Sequence, residues 1–487
     1  MSREGRAGAL LVAVLAMAVA ASGGAASGAA APPVVAPPAE HLYDVTLSPD
    51  ASELHVSAVL AAGDGGALRV GESFGEFVRE LRVEGVAEPT ALFGPRVLVR
   101  ACERGCRLSY RFLLRAAARA TRRFARAYES DDVVFAPPST WLLRPEEPSE
   151  GSRIRLRVRT PPGLSFVSGL RPAGPAPESR AASAEQVSES VVATQDVASA
   201  PYAAFGPLRR RSLEVRGGRV ELALTSGERS LSDEALAAWA RRSAEAVAGL
   251  FGRFPLARTA VLVAGGSRRG VGYGTTMGNG GASVLISVGA GATPADLERD
   301  WVLTHELTHL ALPNLPRRQR WLEEGFATWA EPLARARAGW TGAQELWAEW
   351  TQRMPAGAQA AEAGLDAGSW AGVYWGGAVF WLLADVEIRE ASAGRRSLLD
   401  GLRAVREAGG SIEVSWPLER LLSTIDGAAG APVTSTLYER LGRRGERVDL
   451  GGLFARLGVR GSGAGVSFDD TAPLAPLRRA MTPAAAR

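Results

Sequence analysis

The stretch Thr304-His305-Glu306-Leu307-Thr308-His309 decides how the rest of the chain is interpreted, together with Trp321-Leu322-Glu323-Glu324-Gly325-Phe326-Ala327 shortly after it. His305 and His309 are four residues apart, so a helix places both imidazoles on one face, within reach of a single metal ion. Glu324, on a following helix, can supply a third ligand. Two imidazoles and one carboxylate leave the fourth position of zinc open, which is the arrangement of a catalytic site. The sequence therefore predicts one zinc ion per chain.

The glutamate between the two histidines predicts a reaction. Glu306 projects to the edge of the site and is placed to hold a water molecule, whose pKa a zinc ion lowers to roughly 7. Glu306 can accept a proton from that water and pass it to a leaving amine. The pattern indicates peptide hydrolysis without a covalent intermediate. Two alternatives stay open: a chance occurrence of the short motif, and a ligand swap between the adjacent Glu323 and Glu324.

The residues before the motif predict one continuous helix that carries both histidines. Thr293 is a suitable N-cap, Pro294 occupies the first helical position, and Asp296 and Glu298 lie in the first turns. Proline at the first position and acids near the N-terminus both favour the start of a helix. The helix that carries the zinc ligands is therefore predicted to begin at Pro294.

Two residues after Glu324 are candidates to orient the ligands. Thr328 and Glu331 follow Glu324 by four and seven residues, on the same face of the predicted helix. Either could accept a hydrogen bond from a ligand histidine and fix the orientation of its ring. Glu331 could equally be a solvated acid before Pro332.

Composition excludes some partners. The 487 residues suffice for two or three domains, each with its own core. All 56 basic residues are arginine, they are scattered along the chain, and the net charge is only +4. This distribution does not predict a nucleic-acid partner.

The N-terminus predicts export. Arg3 and Arg6 precede an apolar run from Ala9 to Ala20, and small residues follow to Ala31. This pattern is typical of a signal peptide. The run is too short for a comfortable membrane span, so an uncleaved anchor is the less favoured alternative. The sequence predicts a secreted or periplasmic protein with no stable membrane span once the signal is removed.

The two cysteines fit an oxidising compartment. Cys102 and Cys106 lie between two strand-like runs, so we predict that they sit at a hairpin tip and form a disulfide. The alternative is a pair of free thiols in a partial metal site, although no other ligands lie nearby in the sequence.

Hydrophobic periodicity divides the chain into a β-rich and a helical part. Alternating runs such as Ile154-Arg155-Leu156-Arg157-Val158-Arg159 predict short strands and a sandwich-like domain before residue 225. His41 and His55 lie there and are interpreted as surface or packing residues. The helical period begins at Asp233. The elements predicted from that point are a helix at Asp233 to Leu250, strands at Thr259 to Ala264 and Ser283 to Val288, and helices at Ala343 to Gln352, Trp370 to Glu390, Ser397 to Glu407, Pro417 to Thr424 and Thr434 to Leu441.

These motifs in this order resemble the gluzincin metallopeptidases. The chain is similar to the glycyl aminopeptidase family and, more remotely, to the alanyl aminopeptidase family, over roughly residues 40–390. The resemblance implies an α+β multidomain fold with an N-terminal β-sandwich-like domain, a thermolysin-like catalytic domain and a C-terminal helical domain. The expected segments are 1–31 (signal peptide and small-residue region), 40–225 (β-rich), 226–340 (zinc peptidase), 341–460 (helical) and 461–487 (tail).

The resemblance also assigns roles. It implies that His305, His309 and Glu324 are the ligands, that Glu306 is the base, and that Tyr374 donates a hydrogen bond to the oxyanion. Tyr374 matches the tyrosine of a Tyr-x-Lys-Gly motif, although Gly376 replaces the lysine; a packing role for Tyr374 stays open.

The sequence departs from the family pattern at two further places. Alanyl aminopeptidases have Gly-Ala-Met-Glu-Asn where this chain has Thr275-Thr276-Met277-Gly278-Asn279, and their glutamate holds the α-amine of the substrate. Gly278 occupies that place, so the anchor for an N-terminal amine is either missing or supplied by another residue. The segment after Leu441 is also too short for the PDZ domain common in the glycyl family.

The sequence thus predicts an exported zinc metallopeptidase with a peptide or protein substrate. Three alternatives remain: a specific aminopeptidase, a peptidase-like binding protein without turnover, and a protein in which zinc only stabilises the fold.

Overall fold

The computed structural model describes residues 38–87, 92–174, 185–266 and 269–482. The predicted signal peptide and the last five residues lie outside this part of the chain. The described residues from Pro38 onward belong to one compact unit. None of the helices in these ranges is long and apolar enough to cross a membrane.

The N-terminal part consists mainly of short strands, as the alternating sequence predicted. In β1, every second side chain is buried, because one face of its sheet packs on the core. The elements are β1 (Glu40–Leu47), β2 (Leu54–Leu60), β3 (Ala67–Arg69), β4 (Val78–Val83), β5 (Arg96–Leu98), β6 (Cys106–Phe112), α1 (Leu114–Thr121), β7 (Tyr128–Ser130), β8 (Val133–Phe135), α2 (Pro138–Trp141), β9 (Arg144–Pro145), β10 (Arg153–Thr160), β11 (Ser165–Ser168), β12 (Gln186–Ala193) and β13 (Ala203–Gly206).

These strands form three sheets. The largest has the order β12-β10-β1-β2-β6-β4, a second has the order β11-β13-β8-β7, and a small one has the order β5-β3-β9. The second sheet is buried on both faces: Phe166 and Phe205 pack into the N-terminal core, whereas Phe135 and Val167 pack toward the next sheet along the chain. This middle sheet therefore joins the N-terminal region to the part that carries the histidines.

The disulfide is confirmed, but the predicted hairpin is wrong. Cys102 and Cys106 are bonded to each other. The strands on either side belong to different sheets, because β5 pairs with β3 whereas β6 pairs with β2 and β4. A short 3-10 helix, Arg100–Arg104, carries the chain from one sheet to the other. The disulfide therefore closes a turn between two sheets.

A five-stranded mixed sheet lies beside the metal-binding motif. Its strands are β14 (Leu208–Val215), β15 (Gly218–Thr225), β16 (Arg258–Gly266), β17 (Val271–Met277) and β18 (Ser283–Gly289), in the order β14-β15-β16-β18-β17. The three central strands are parallel, and β14 and β17 are antiparallel edges. The helix α3 (Asp233–Phe251) connects β15 to β16.

The boundary expected at residue 225 falls after a hairpin that belongs to this sheet. Strands β14 and β15 lie before that boundary, and β15 pairs with β16 after it. The sheet next to the motif therefore begins at Leu208.

The C-terminal region is helical, as predicted. Its helices pack around one hydrophobic cluster that includes Trp321, Trp347, Trp350 and Trp381. The elements that follow the sheet are α4 (Pro294–Glu298), α5 (Val302–Thr308), α6 (Arg320–Arg337), α7 (Ala343–Ala361), α8 (Gly377–Ala391), α9 (Leu398–Glu407), α10 (Leu418–Ala429), α11 (Val433–Leu437), α12 (Leu450–Arg456), β19 (Val459–Arg460), β20 (Ser467–Phe468) and α13 (Ala475–Met481).

Two glycines allow α6 and α8 to approach closely. A Cβ atom added to Gly325 would lie 2.2 Å from the Cα atom of Gly377. One turn of π-helix, Gly372–Gly376, precedes α8 and contains Tyr374. The sequence predicted an ordinary helix from Trp370, whereas the π-turn places Tyr374 at the start of α8, beside the helix that carries Glu324.

Candidate metal centre

The helix that carries the first histidine is shorter than predicted. Thr293 is the N-cap, as predicted, and it forms a capping box with Asp296, but the helix that it starts ends at Glu298. Asp300 then caps a second helix, because its carboxylate accepts hydrogen bonds from the amides of Val302 (2.9 Å) and Leu303 (3.2 Å). The prediction of one continuous helix from Pro294 is therefore wrong.

Asp300 also fixes α5 to the rest of the protein. Its carboxylate accepts a third hydrogen bond, from the indole nitrogen of Trp239 in α3, at 2.9 Å. Both side chains are buried. This acid was missed in the sequence, although an Asp two residues before an apolar helical run is a recognisable N-cap signal.

Three candidate ligands converge in space. The Nε2 atoms of His305 and His309 lie 3.6 and 3.7 Å from one oxygen, Oε2, of Glu324. The nearest donor atoms of the three side chains all lie within 4.8 Å of one another. Neutral imidazoles and a carboxylate at this separation form the donor set of a catalytic zinc site with one open position. The arrangement fits zinc on the chemistry and spacing of the donors alone.

Burial and charge prepare these groups to bind a cation. Burial raises the pKa of Glu324, but the interaction with the His305 imidazole, 3.6 Å away, outweighs it and the pKa is held at about 2. Burial lowers the pKa of His309 to about 4, so its ring is neutral. For His305, burial also favours the neutral ring, but the neighbouring carboxylates of Glu324 and Glu306 raise its pKa above the usual value. A cation at the centre would replace the proton that these carboxylates stabilise.

Glu306 lies beside the cluster and is held by the edge strand. One of its carboxylate oxygens, Oε2, accepts a 2.7 Å hydrogen bond from the hydroxyl of Thr276 in β17. Burial raises the pKa of Glu306 to about 7. The strand passes so close that a Cβ atom on Gly274 would lie 2.7 Å from the Cγ atom of Glu306. No local sequence pattern indicates this role for Thr276, because its partner lies 30 residues away.

The two adjacent glutamates of α6 have different roles. Glu323 points away from the histidines, and its carboxylate accepts a 2.8 Å hydrogen bond from the amide of Leu315. Burial raises its pKa to about 7. Of the two, Glu324 is the one that faces both imidazoles, so the geometry favours Glu324 over the swapped arrangement.

The two candidate orienting residues line the same cleft. Thr328 donates its hydroxyl hydrogen to the backbone carbonyl of Glu324 at 2.8 Å. Glu331 is buried and forms an ion pair with Arg335, one turn further along α6. Burial raises the pKa of Glu331 to about 7. Their role in orienting a ligand histidine stays a prediction.

Tyr374 reaches the cleft from the π-turn. It lines the same cavity as the histidines and Glu306, and its ring packs at 5.0 Å, centroid to centroid, on that of Trp370. Burial and the nearby Glu324 carboxylate raise the pKa of the phenol to about 12, so the hydroxyl keeps its proton at neutral pH.

The centre opens into a large cleft. Its volume is about 1050 Å³, and its walls come from β17, α5, α6, α7 and the π-turn. Three large aromatic side chains that line it are exposed: Tyr273 by 60%, Trp301 by 50% and Trp370 by 81%. Exposed aromatic groups around a concave polar site are typical of a binding cleft.

The end of β17 is blocked where related sequences carry the amine-binding glutamate. A Cβ atom on Gly278 would lie 2.0 Å from the backbone oxygen of Ile412. That oxygen accepts hydrogen bonds from the amide of Asn279 (2.8 Å) and the side chain of Asn314 (2.7 Å). The segment around Ile412, from the helical region, therefore fills this position, and no sequence motif marks that long-range contact.

The fold has known counterparts among solved structures. An aminopeptidase N family protein from Idiomarina loihiensis aligns with a TM-score of 0.65 and 14% identity, over 86% of this chain and 78% of its own. The M1 zinc metallopeptidase from Deinococcus radiodurans aligns with a TM-score of 0.53 and 17% identity, over 84% of this chain and 94% of its own. A variant of that protein is described as bound to a Tyr-Ser-Ala substrate.

The chain has the fold of the M1 zinc metallopeptidases. The resemblance to gluzincin peptidases inferred from the motifs is thereby confirmed at the level of the fold, and so is the α+β architecture with its helical C-terminal region. No protein-family model matches the chain, and the sequence search of curated proteins finds no match. The narrower similarity to the glycyl aminopeptidase family stays a prediction.

Proposed function

We propose that this protein is a zinc-dependent metallopeptidase, with His305, His309 and Glu324 as ligands and Glu306 as general base. One observation carries the proposal. The three donor groups meet within 4.8 Å of one another beside a buried carboxylate, inside a cleft wide enough for a peptide. A site that served only to stabilise the fold would be closed by a fourth protein ligand.

Glu306 performs the proton transfers in this proposal. When bound, zinc would polarise the scissile carbonyl and lower the pKa of the attacking water. A pKa of about 7 suits Glu306 to accept that proton at neutral pH and to donate it to the leaving amine. The hydroxyl of Thr276 donates to Oε2 of Glu306, so in this proposal Oε1 is the oxygen that takes the proton.

Tyr374 supplies the charge stabilisation in the same reaction. A phenol that stays protonated at neutral pH can donate a hydrogen bond to the oxygen that becomes negative in the transition state. Thr328 and Glu331 stay candidates to orient the ligands; Thr328 donates to the Glu324 carbonyl and Glu331 pairs with Arg335.

The edge strand β17 provides a place for an extended peptide. It forms one edge of the five-stranded sheet and lines the cleft along Val271–Thr276. An extended substrate can add to such an edge through backbone hydrogen bonds, which is a sequence-tolerant mode of binding. The exposed rings of Tyr273, Trp301 and Trp370 then offer surfaces for substrate side chains.

A specific aminopeptidase is the second candidate. The fold is shared with a protein of the aminopeptidase N family, which favours it. The carbonyl of Ile412 occupies the space next to Gly278 where a glutamate would have to hold the amine, which argues against it. Rates on peptides with free and N-acetylated termini separate the two, because acetylation abolishes only amine-anchored cleavage.

A cleavage assay on a peptide library tests the main proposal. The wild-type protein with zinc should cleave peptide bonds, and Glu306→Gln should lower kcat by about 10²- to 10⁴-fold while it keeps its zinc. Tyr374→Phe should lower kcat by about 10²- to 10³-fold. Wild-type rates in Glu306→Gln would refute the assigned role of Glu306, and the absence of cleavage by the wild type would favour a binding protein.

We also propose that the protein is exported. The N-terminal pattern and the disulfide in the described part of the chain support this location, because disulfides persist mainly in oxidising compartments. Mass measurement of the mature N-terminus from the native host would test it, since an uncleaved N-terminus would contradict removal of a signal peptide.

A further inference from the structure

Arg320 is a cationic side chain in direct contact with a candidate zinc ligand. It lies one turn before Glu324 on α6, and its Nη2 and Nε atoms donate to Oε1 of Glu324 at 3.0 and 3.3 Å. The other oxygen of the same carboxylate faces the two imidazoles. A single carboxylate group therefore separates the guanidinium from the metal centre, which fixes the cation close to any reacting carbonyl.

The guanidinium keeps donors free on the side that faces the cleft. An arginine has five N–H donors in a planar fork, and Glu324 takes one edge of it, through Nε and Nη2. The side chain is 62% exposed and lines the cleft. Within the described ranges, the guanidinium has no hydrogen-bonding partner other than Glu324. The edge formed by Nη1 and Nη2 is therefore open to a second carboxylate, which it could bind through two parallel hydrogen bonds.

The acids that line the described cleft are held by partners within the protein. The other acids that line the described cleft each have a partner: the hydroxyl of Thr276 for Glu306, the Leu315 amide for Glu323, Arg335 for Glu331 and Arg353 for Glu349. An α-ammonium group placed near the metal would meet Arg320 as a like charge, whereas a carboxylate would meet an opposite one. The open edge of Arg320 thus offers a carboxylate of the substrate a cationic hydrogen-bond donor next to the metal centre.

We propose that Arg320 binds a carboxylate of the substrate next to the scissile bond. The preferred peptides then carry a C-terminal carboxylate or an acidic side chain in that position. This inference rests on the proposed peptidase function, which it deepens by naming the substrate class. In the competing interpretation, Arg320 only orients Glu324, and its loss would weaken zinc binding and affect all peptides equally.

Two pairs of short peptides test the proposal. The first pair is N-acetyl-Phe-Ala with a free carboxylate and the same peptide with a C-terminal amide. The second pair is N-acetyl-Phe-Glu-amide and N-acetyl-Phe-Gln-amide, in which only the side-chain charge differs. Calorimetry on zinc-loaded Glu306→Gln protein measures affinity without turnover. Charge-assisted hydrogen bonds predict about 10- to 100-fold tighter binding of the acid in one of the pairs, and that pair identifies the source of the carboxylate.

Substitution of Arg320 then assigns the preference. In Glu306→Gln combined with Arg320→Gln, with zinc content measured on the same sample, the acid-to-amide ratio should fall below about threefold. The matched control is Arg318→Gln, an exposed arginine paired with Asp366 instead, which should keep the full ratio. If Arg320→Gln loses its zinc, Arg320→Lys takes its place; its ratio should fall at least about threefold, because an ammonium lacks the planar fork.

The outcomes separate this inference from the proposed function. Equal binding of acid and amide in both pairs would overturn the inference, as would a preference that survives in the Arg320 variant, because the metal itself would then hold the carboxylate. Turnover of the same peptides by the wild type is measured in parallel. Cleavage without an acid preference would refute the inference alone. An Arg320-dependent preference would support the carboxylate site even if the wild type cleaved neither these peptides nor the peptide library, and that absence of cleavage would refute the peptidase.

Discussion

Replacing Gly278 with alanine would place a methyl group where the backbone of Ile412 now lies. The added Cβ atom would be 2.0 Å from the carbonyl oxygen, 2.5 Å from Cγ1 and 2.7 Å from the carbonyl carbon of that residue. Two of these atoms belong to the backbone, so a change of side-chain rotamer cannot relieve the overlap. The segment around Ile412 must therefore move away from the end of β17.

The cost can be worked out from the hydrogen bonds that this movement breaks. They are the bonds from the Asn279 amide (2.8 Å) and the Asn314 side chain (2.7 Å) to Ile412, and from the Gly280 amide to Glu413 (3.0 Å). Each of these three bonds contributes about 0.5–1.5 kcal/mol, so Gly278→Ala should lower the free energy of unfolding by about 1.5–4.5 kcal/mol. Because Ile412 also lines the cleft, kcat/KM should fall as well.

Urea unfolding of the purified variant measures this cost. The matched control is Gly427→Ala, at an exposed position in α10 where an added Cβ meets nothing within 4 Å. That substitution should raise the free energy of unfolding by up to about 1 kcal/mol, because alanine favours a helix over glycine. A Gly278→Ala protein within about 0.5 kcal/mol of the wild type would refute the claim that Ile412 closes this end of the cleft, since a small change is typical of an unconstrained site.

Three further outcomes follow from the structure. Asp300→Ala should lower the free energy of unfolding by about 2–4 kcal/mol, because two amides of α5 and the buried indole N–H of Trp239 lose their acceptor. Urea unfolding measures this loss. Asp300→Asn keeps one acceptor oxygen and should therefore lower the free energy of unfolding by less. Replacing Cys102 and Cys106 with serine should cost about 2 kcal/mol, the small value expected for so short a closed loop, and a loss of all folding would contradict that estimate. Chelation of zinc should abolish peptidase activity but leave the circular dichroism spectrum unchanged, because the hydrophobic clusters do not include the ligands. Unfolding on chelation would instead favour a structural role for the metal.

Local patterns in the sequence predicted the parts of the site that depend on spacing. The two histidines are related by one helical turn, so periodicity brings their rings together. Glu324 lies in a separate helix that follows soon after, and the family resemblance identified it as the third ligand. The N-cap at Thr293 is a local pattern too, and the structure confirms it. The disulfide joins residues only four positions apart, so its prediction needed no knowledge of the surrounding sheets.

The features that the sequence did not predict depend on contacts between distant segments. Asp300 breaks the helix because Trp239, in α3, gives its carboxylate a buried partner. Strand β6, which begins at Cys106, belongs to a different sheet from β5 because it pairs with β2 and β4. No local sequence pattern indicates this pairing. Ile412 contacts Gly278 although the two residues are more than one hundred positions apart in the chain, and no local sequence pattern predicts that contact. Arg320 differs from these, because the sequence shows that it precedes Glu324 by four residues. Only the structure shows that its guanidinium contacts Glu324 and faces the cleft.

The most direct test of the account is the zinc content of two adjacent variants, Glu323→Gln and Glu324→Gln. Glu324 faces both imidazoles, whereas Glu323 accepts a hydrogen bond from the amide of Leu315, which the glutamine oxygen can still accept. After dialysis against a weak chelator, elemental analysis should find about one zinc ion per chain in the wild type and in Glu323→Gln, and much less in Glu324→Gln. Equal zinc in both variants, or loss from Glu323→Gln alone, would contradict the assignment of His305, His309 and Glu324 as the metal centre.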